Sequence, residues 1–127
     1  MDTSRSVLII DDEPDLREAL KTALGYEGFT IYTAEDGEDG VATALREKPD
    51  LILLDMIMPK MDGISVLKVL RADAWGKNAK VIVMTALDDL SKIAEVVEAG
   101  GDEYLVKSET TLGAIVVRVK EKLDVSS

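Results

Sequence analysis

The chain has 127 residues, 46% of them hydrophobic, and sets 25 acidic side chains against 15 basic ones for a formal net charge of -10. One domain of ordinary size can bury its own core at this length, and a second has no room. The acidic balance opposes a phosphate backbone, which recruits clustered Lys and Arg, so no nucleic-acid binding is expected of this chain alone.

Cysteine and histidine are both absent. That removes a disulfide framework, zinc sites built on Cys or His, and any phosphohistidine chemistry on the chain itself. The opening Met1-Asp2-Thr3-Ser4-Arg5 has no charged-then-apolar signal, and the longest apolar runs are too short to span a bilayer. A soluble cytoplasmic chain with no membrane partner is expected.

Short apolar runs alternate with segments of helical period along the whole sequence. Ser6 to Ile10 reads as the first strand and stops at Asp11-Asp12-Glu13, where Pro14 suits the first turn of a helix. Leu16, Ala19, Leu20, Ala23 and Leu24 then share one helical face, and Gly28 stands where that helix should stop. Phe29 to Thr33 is the second predicted strand. Glu35-Asp36-Gly37-Glu38-Asp39-Gly40 lacks the alternating ligands of a calcium loop and reads as a turn into an acidic helix start.

Leu51 to Leu54 is the third strand and runs into Asp55. Met56, Met58 and Met61 read as gap-filling packing, and Trp75 as a local packing residue. Lys80 to Met84 is the fourth strand and ends at Thr85. Leu90, Ile93, Ala94 and Val97 form the next apolar stripe, closed by Gly100, before Glu103 to Val106 leads into Lys107. Leu112, Ile115, Val116, Val119 and Leu123 mark the last helix. Near-continuous aliphatic strands imply burial on both faces, and the alternation predicts one doubly wound α/β domain with a parallel sheet.

In such folds reactive groups gather beyond the carboxyl ends of the strands. Asp11, Asp12 and Asp55 would then meet at one edge, joined by Thr85 and Lys107. Two unit charges about 4 Å apart repel by roughly 4 kcal/mol at an effective dielectric near 20. A bound divalent cation or proton uptake would offset this. Oxygen donors for Mg²⁺, a hydroxyl and an ammonium for phosphoryl oxygens, and no other nucleophile nearby together suggest phosphoryl transfer to a carboxylate. Singly, each residue has a plainer role: a helix cap for Asp11-Asp12, a turn residue for Thr85, a solvated ammonium for Lys107. Only their joint placement points to chemistry.

Four stretches together carry a family resemblance. They are Val7-Leu8-Ile9-Ile10-Asp11-Asp12-Glu13-Pro14, Asp55-Met56-Ile57-Met58-Pro59-Lys60-Met61-Asp62-Gly63, and Met84-Thr85-Ala86 followed by Asp102-Glu103-Tyr104-Leu105-Val106-Lys107. In that order and spacing the chain resembles the receiver domain of bacterial two-component response regulators, over essentially its whole length. The resemblance implies a flavodoxin-like sheet of five parallel strands in order 2-1-3-4-5 with helices on both faces.

It also implies roles. Asp55 would be the phosphoacceptor, attacking a phosphohistidine on a sensor histidine kinase or phosphotransfer protein, so the chain would act as a signalling phosphoacceptor and not as a conventional enzyme. Asp12, Asp55 and the backbone carbonyl of Ile57 would ligate Mg²⁺, with Asp11 acting mainly through bound water. Thr85 and Lys107 would bind phosphoryl oxygens, and Ala86 would leave them space. Tyr104 would swing inward behind Thr85 and reset a face built from the fourth helix, fifth strand and fifth helix, where a downstream effector docks. Val117, off the apolar stripe, is expected to be exposed on that face.

The chain departs from the family pattern at three places. Ser108 replaces the usual proline after the lysine, and since a cis bond to serine costs about 2.5 to 4 kcal/mol, a trans bond is expected. Ile57 and Leu87 are apolar where quickly dephosphorylating relatives carry groups that orient water, so slow self-dephosphorylation is expected. Only Asp124-Val125-Ser126-Ser127 follows Leu123, so a single receiver domain over 1–127 without an output domain is expected.

Three rivals make different demands. A haloacid-dehalogenase-type phosphatase needs a second acid where Ile57 stands. A flavodoxin-type flavin module needs phosphate donors where Asp11-Asp12-Glu13 would repel one. An inactive receiver-like scaffold has no need of an intact acid cluster.

Overall fold

The computed structural model describes residues 5–86 and 90–124. Its five strands are β1 (Ser6–Ile10), β2 (Thr30–Ala34), β3 (Leu51–Asp55), β4 (Val81–Thr85) and β5 (Glu103–Val106), and its five α-helices are α1 (Pro14–Tyr26), α2 (Gly37–Glu47), α3 (Gly63–Ala72), α4 (Leu90–Glu98) and α5 (Leu112–Lys122). All strands are parallel, in the order β2-β1-β3-β4-β5.

The aliphatic runs explain the layering. Successive side chains of a strand point to opposite faces. Leu8, Ile10, Ile52, Leu54, Val81 and Val83 therefore feed one core with α2, α3 and α4, while Val7, Ile9, Leu51, Leu53, Ile82 and Met84 feed a second with α1 and α5. β1, β3 and β4 sit in the middle of the sheet, and their apolar residues are fully buried, while the polar Ser6 that opens β1 is half-buried. Pro14 opens α1, and Gly28 and Gly100, both at φ +97, follow α1 and α4. Asp36 caps α2 by accepting from the Asp39 amide at 2.8 Å, which makes the acidic run a helix start. Met56, Met58 and Trp75 pack into or against the first core.

Two stripes differ from expectation. In α4 the buried residue is Val96, with Ala99 just past the helix packed against the same core; Ile93 is half-buried, Ala94 and Val97 are exposed, Val97 at 61%, and the side chain of Leu90 lies outside those described. Val96 lies against the backbone of Gly101, which has no side chain to displace it. In α5, Leu112 sits in the first turn and is exposed, while Ile115, Val119 and Leu123 are buried. Val117 is exposed as expected. No cis peptide bond occurs among the described residues, and Lys107 opens a short 3-10 turn, Lys107–Glu109.

At the sheet end where β4 and β5 begin, Arg71 near the end of α3 uses every donor it has. Nε and Nη2 donate to the Gly100 carbonyl at 3.0 and 2.6 Å, Nη1 donates to Gly76 and Ala79 carbonyls at 2.7 Å each, and Nη2 reaches Asp102 at 3.3 Å. Asp102 in turn accepts from the Val81 amide at 2.8 Å. A lysine has neither the planar fork nor the donor count for this. Arg71→Lys should therefore lower the unfolding free energy by about 1–3 kcal/mol in urea titration; an unchanged midpoint would show that these carbonyls find other partners.

Candidate functional site

The site is assembled by strand register. Ile10 pairs with Leu54, Asp55 with Met84, and Thr85 with Val106, so the carboxyl ends of β1, β3, β4 and β5 finish nearly level. Asp11 follows β1 directly, and its amide extends the ladder by donating to the Ala34 carbonyl at 3.1 Å. Asp55 and Thr85 are the last residues of their strands, and Lys107 follows β5. The backbone after β3 leaves no room: the Gly63 amide donates to the Met56 carbonyl at 2.9 Å, and a Cβ on Gly63 would lie 2.7 Å from the Asp55 carbonyl oxygen. Glycine here lets α3 start against the end of β3.

Carboxylate oxygens of Asp11, Asp12 and Asp55 all lie within 4.8 Å of one another. Asp11 is fully buried and Asp55 nearly so, whereas Asp12 faces solvent. Asp11 Oδ1 accepts from the Glu13 amide at 2.8 Å, while its buried Oδ2 has no hydrogen-bond partner. The plainer role of helix cap is not taken: the cap position of α1 is Glu13, with no side-chain cap hydrogen bond.

Lys107 supplies the compensating charge. Its Nζ stands 3.1 Å from Asp11 Oδ2, 3.2 Å from Asp55 Oδ1 and 2.6 Å from Glu13 Oε1. The contact to Asp11 is one of charge and lacks hydrogen-bond angles. Burial opposes the ammonium, but Glu13, Asp55 and Asp11 outweigh it and raise the lysine pKa. The acids respond in the opposite sense. Burial raises the Asp11 pKa against the pull of the Glu13 amide and Lys107. Burial and the Asp11 charge push Asp55 up to about 7, again against Lys107.

Thr85 is buried at the edge beside this cluster, and Ala86 after it is exposed. The side chain of Ile57, in the loop after β3, is 55% exposed and apolar. Leu87 lies outside the described residues, as do 1–4 and 125–127. Tyr104 is half-exposed and borders a cavity of about 460 Å³ shared with Val97, Val106 and Thr110. The structure brings Asp11, Asp12, Asp55 and Lys107 together and places Thr85 at the end of the adjoining strand, while Glu13, the lysine's nearest partner, was missed from sequence. The available signal was the third consecutive acid, one more than a helix start or a strand-end pair requires.

A doubly wound sheet with clustered acids, a hydroxyl and a lysine along one carboxyl edge defines a phosphoacceptor class of signalling domain, and comparison with known proteins agrees. Residues 7–120 match the response regulator receiver domain family. The probable transcriptional regulatory protein TcrX of Mycobacterium tuberculosis is 39% identical over 118 residues, covering 93% of this chain and 49% of that protein. The receiver domain of Francisella response regulator 1452 superposes with a TM-score of 0.86 at 30% identity, covering 95% of this chain and 98% of that one. Chemotaxis response regulator CheY4 of Vibrio cholerae gives 0.88 at 26% identity, over 94% and 99%. The chain belongs to the response regulator receiver family. It spans about half the length of the curated relatives it matches. No helix among the described residues is long and apolar enough to cross a membrane.

The raised Asp55 pKa has a thermodynamic consequence in metal-free protein. Between its ordinary value of 3.8 and about 7 the folded state keeps a proton that the unfolded chain has released. Stability therefore falls as pH rises through that window. In EDTA, Asp55→Asn should flatten this slope and be more stable than wild type at pH 8 by about 1 kcal/mol or more, read from urea midpoints. An unstable Asn variant would mean that Lys107 contributes more than the acids repel.

Proposed function

We propose that Asp55 accepts a phosphoryl group from the phosphohistidine of a sensor histidine kinase or of a phosphotransfer protein, and that this modification switches a partner-binding surface. The observation that carries the reading is the convergence of three carboxylates and one ammonium at the strand edge. An Asp55 oxygen attacks phosphorus in line, the P–N bond breaks with its electron pair left on the imidazole, and an acyl phosphate remains on Asp55. The side chain needs no base, because a carboxylate is already the nucleophile; positioning and charge complementarity do the rest.

The donor set fits a hard divalent cation: every candidate ligand is oxygen, and the buried Asp11 Oδ2 lacks a hydrogen bond. Asp11, Asp12, Asp55 and the Ile57 backbone carbonyl would hold Mg²⁺. When bound, the ion neutralises the acids and the charge on the transferred group. Lys107, already within reach of Asp55, then meets one phosphoryl oxygen and the Thr85 hydroxyl another, with Ala86 too small to crowd them. Movement of Thr85 toward the phosphoryl group opens space for Tyr104 to turn inward from its half-exposed position. The exposed Val97, Tyr104 and Val117 then belong to the α4, β5 and α5 face on which an effector docks. The chain would work in the cytoplasm, where such kinases present their phosphohistidine.

Acetyl phosphate with Mg²⁺ should add one phosphoryl group by intact mass, and Asp55→Asn should add none. Steady release of phosphate from simple esters would favour a phosphatase instead. The proposed autophosphatase activity should be slow, because the Ile57 side chain offers nothing to orient water. Acyl phosphate isolated free of phosphodonor should persist for minutes or longer; decay within seconds would overturn that expectation.

A further inference from the structure

The shortest contact of Lys107 is to an acid outside the carboxylate cluster. Glu13 Oε1 lies 2.6 Å from Nζ, against 3.1 and 3.2 Å for Asp11 and Asp55. Glu13 is held in place by its backbone: its amide donates to Asp11 and its carbonyl accepts from the Arg17 amide at 3.0 Å. Its side chain is 60% exposed, so it stands on the solvent side of the ammonium, while Asp11 and Asp55 stand on the buried side. The residue is at the cap position of α1, yet its carboxylate makes no cap hydrogen bond and goes to Lys107 instead.

We propose that Glu13 is a positioning residue that holds the Lys107 ammonium at the rim of the site, so that Lys107 yields the acid cluster to a divalent cation and is handed on to the phosphoryl group afterwards. The inference rests on the reading of Asp55 as phosphoacceptor. Without Glu13 the ammonium has only Asp11 and Asp55 as partners, so an incoming cation must displace it from its sole counter-charges. Cation affinity then falls. Once a cation occupies the acids, however, Lys107 is shared between Glu13 and the incoming phosphoryl oxygens. Removing Glu13 at that stage destabilises the waiting state of the lysine more than its state on the phosphoryl group, and transfer becomes faster.

The two effects have opposite signs, which a damaged site would not give. Contact and charge separate by chemistry: Glu13→Gln removes the charge, whereas Glu13→Asp keeps it on a side chain one methylene shorter, out of reach of Nζ. Wild type and both variants are compared by calorimetry with Mg²⁺ and by the rate of acetyl phosphate labelling at saturating Mg²⁺. Each variant should bind Mg²⁺ about three- to fivefold more weakly, the scale of a partly exposed ion pair, and label faster than wild type once saturated. Both shifts should vanish when Lys107→Met is added, since no ammonium is then left to hold. Glu13→Asp behaving as wild type while Glu13→Gln does not would overturn the proposal in favour of charge at a distance. Loss of affinity and rate together would overturn it in favour of general disruption. Wild-type protein that neither binds Mg²⁺ nor takes up a phosphoryl group would overturn the reading of Asp55 and this inference with it; wild-type labelling with unaltered Glu13 variants would overturn the inference alone.

Discussion

Like charges buried together at the ends of parallel strands are the constraint on which this protein is organised. Asp11 and Asp55 have little access to water, and the Asp11 charge raises the cost of ionising Asp55. Sequence, register and burial fix them there, because moving either side chain would require slipping a central strand whose residues fill two cores at once. Among the described residues the cationic relief is a single ammonium from the end of β5, Lys107, offered to three acids simultaneously. One positive charge among several negative ones leaves the site short of cation. That deficit suits the site to a hard divalent ion.

Much of this was readable without coordinates. Four aliphatic residues ending in acid, met twice, located β1 and β3 and the edge they share, because continuous apolar runs are tolerated only in strands covered on both sides. Strands 1 and 5 matched residue for residue; β3 and β4 reach one residue further because Asp55 and Thr85 still make ladder contacts although they are polar, and β2 runs to Ala34, which pairs with Ile10. Pro14, Gly28 and Gly100 marked helix ends through their backbone preferences alone. Pairing order within the sheet followed from family resemblance and not from any local signal.

What the sequence hid depended on side-chain direction and on contacts far apart in the chain. In α4 Val96 and not Val97 turns inward, the bare backbone of Gly101 leaves it room there, and two chemically alike valines could not be told apart from sequence. Glu13 and Lys107 are 94 positions apart, and nothing about an acid at a helix start announces a partner at the far end of the sheet. Arg71 was equally silent: one arginine late in an amphipathic helix ordinarily faces solvent, and its value here comes from three carbonyls that two separate stretches of chain happen to aim at one point.

That guanidinium has a mechanical corollary. By gripping the Gly100 carbonyl twice it pins the trailing end of α4 to α3 and to the approach to β4, at the opposite pole from the acids. A helix fastened at its tail can pivot but cannot translate. Any displacement of the leading end of α4 would thus be an angular sweep, greatest near the strand tips and fading toward Arg71, with the base of the molecule as its fulcrum.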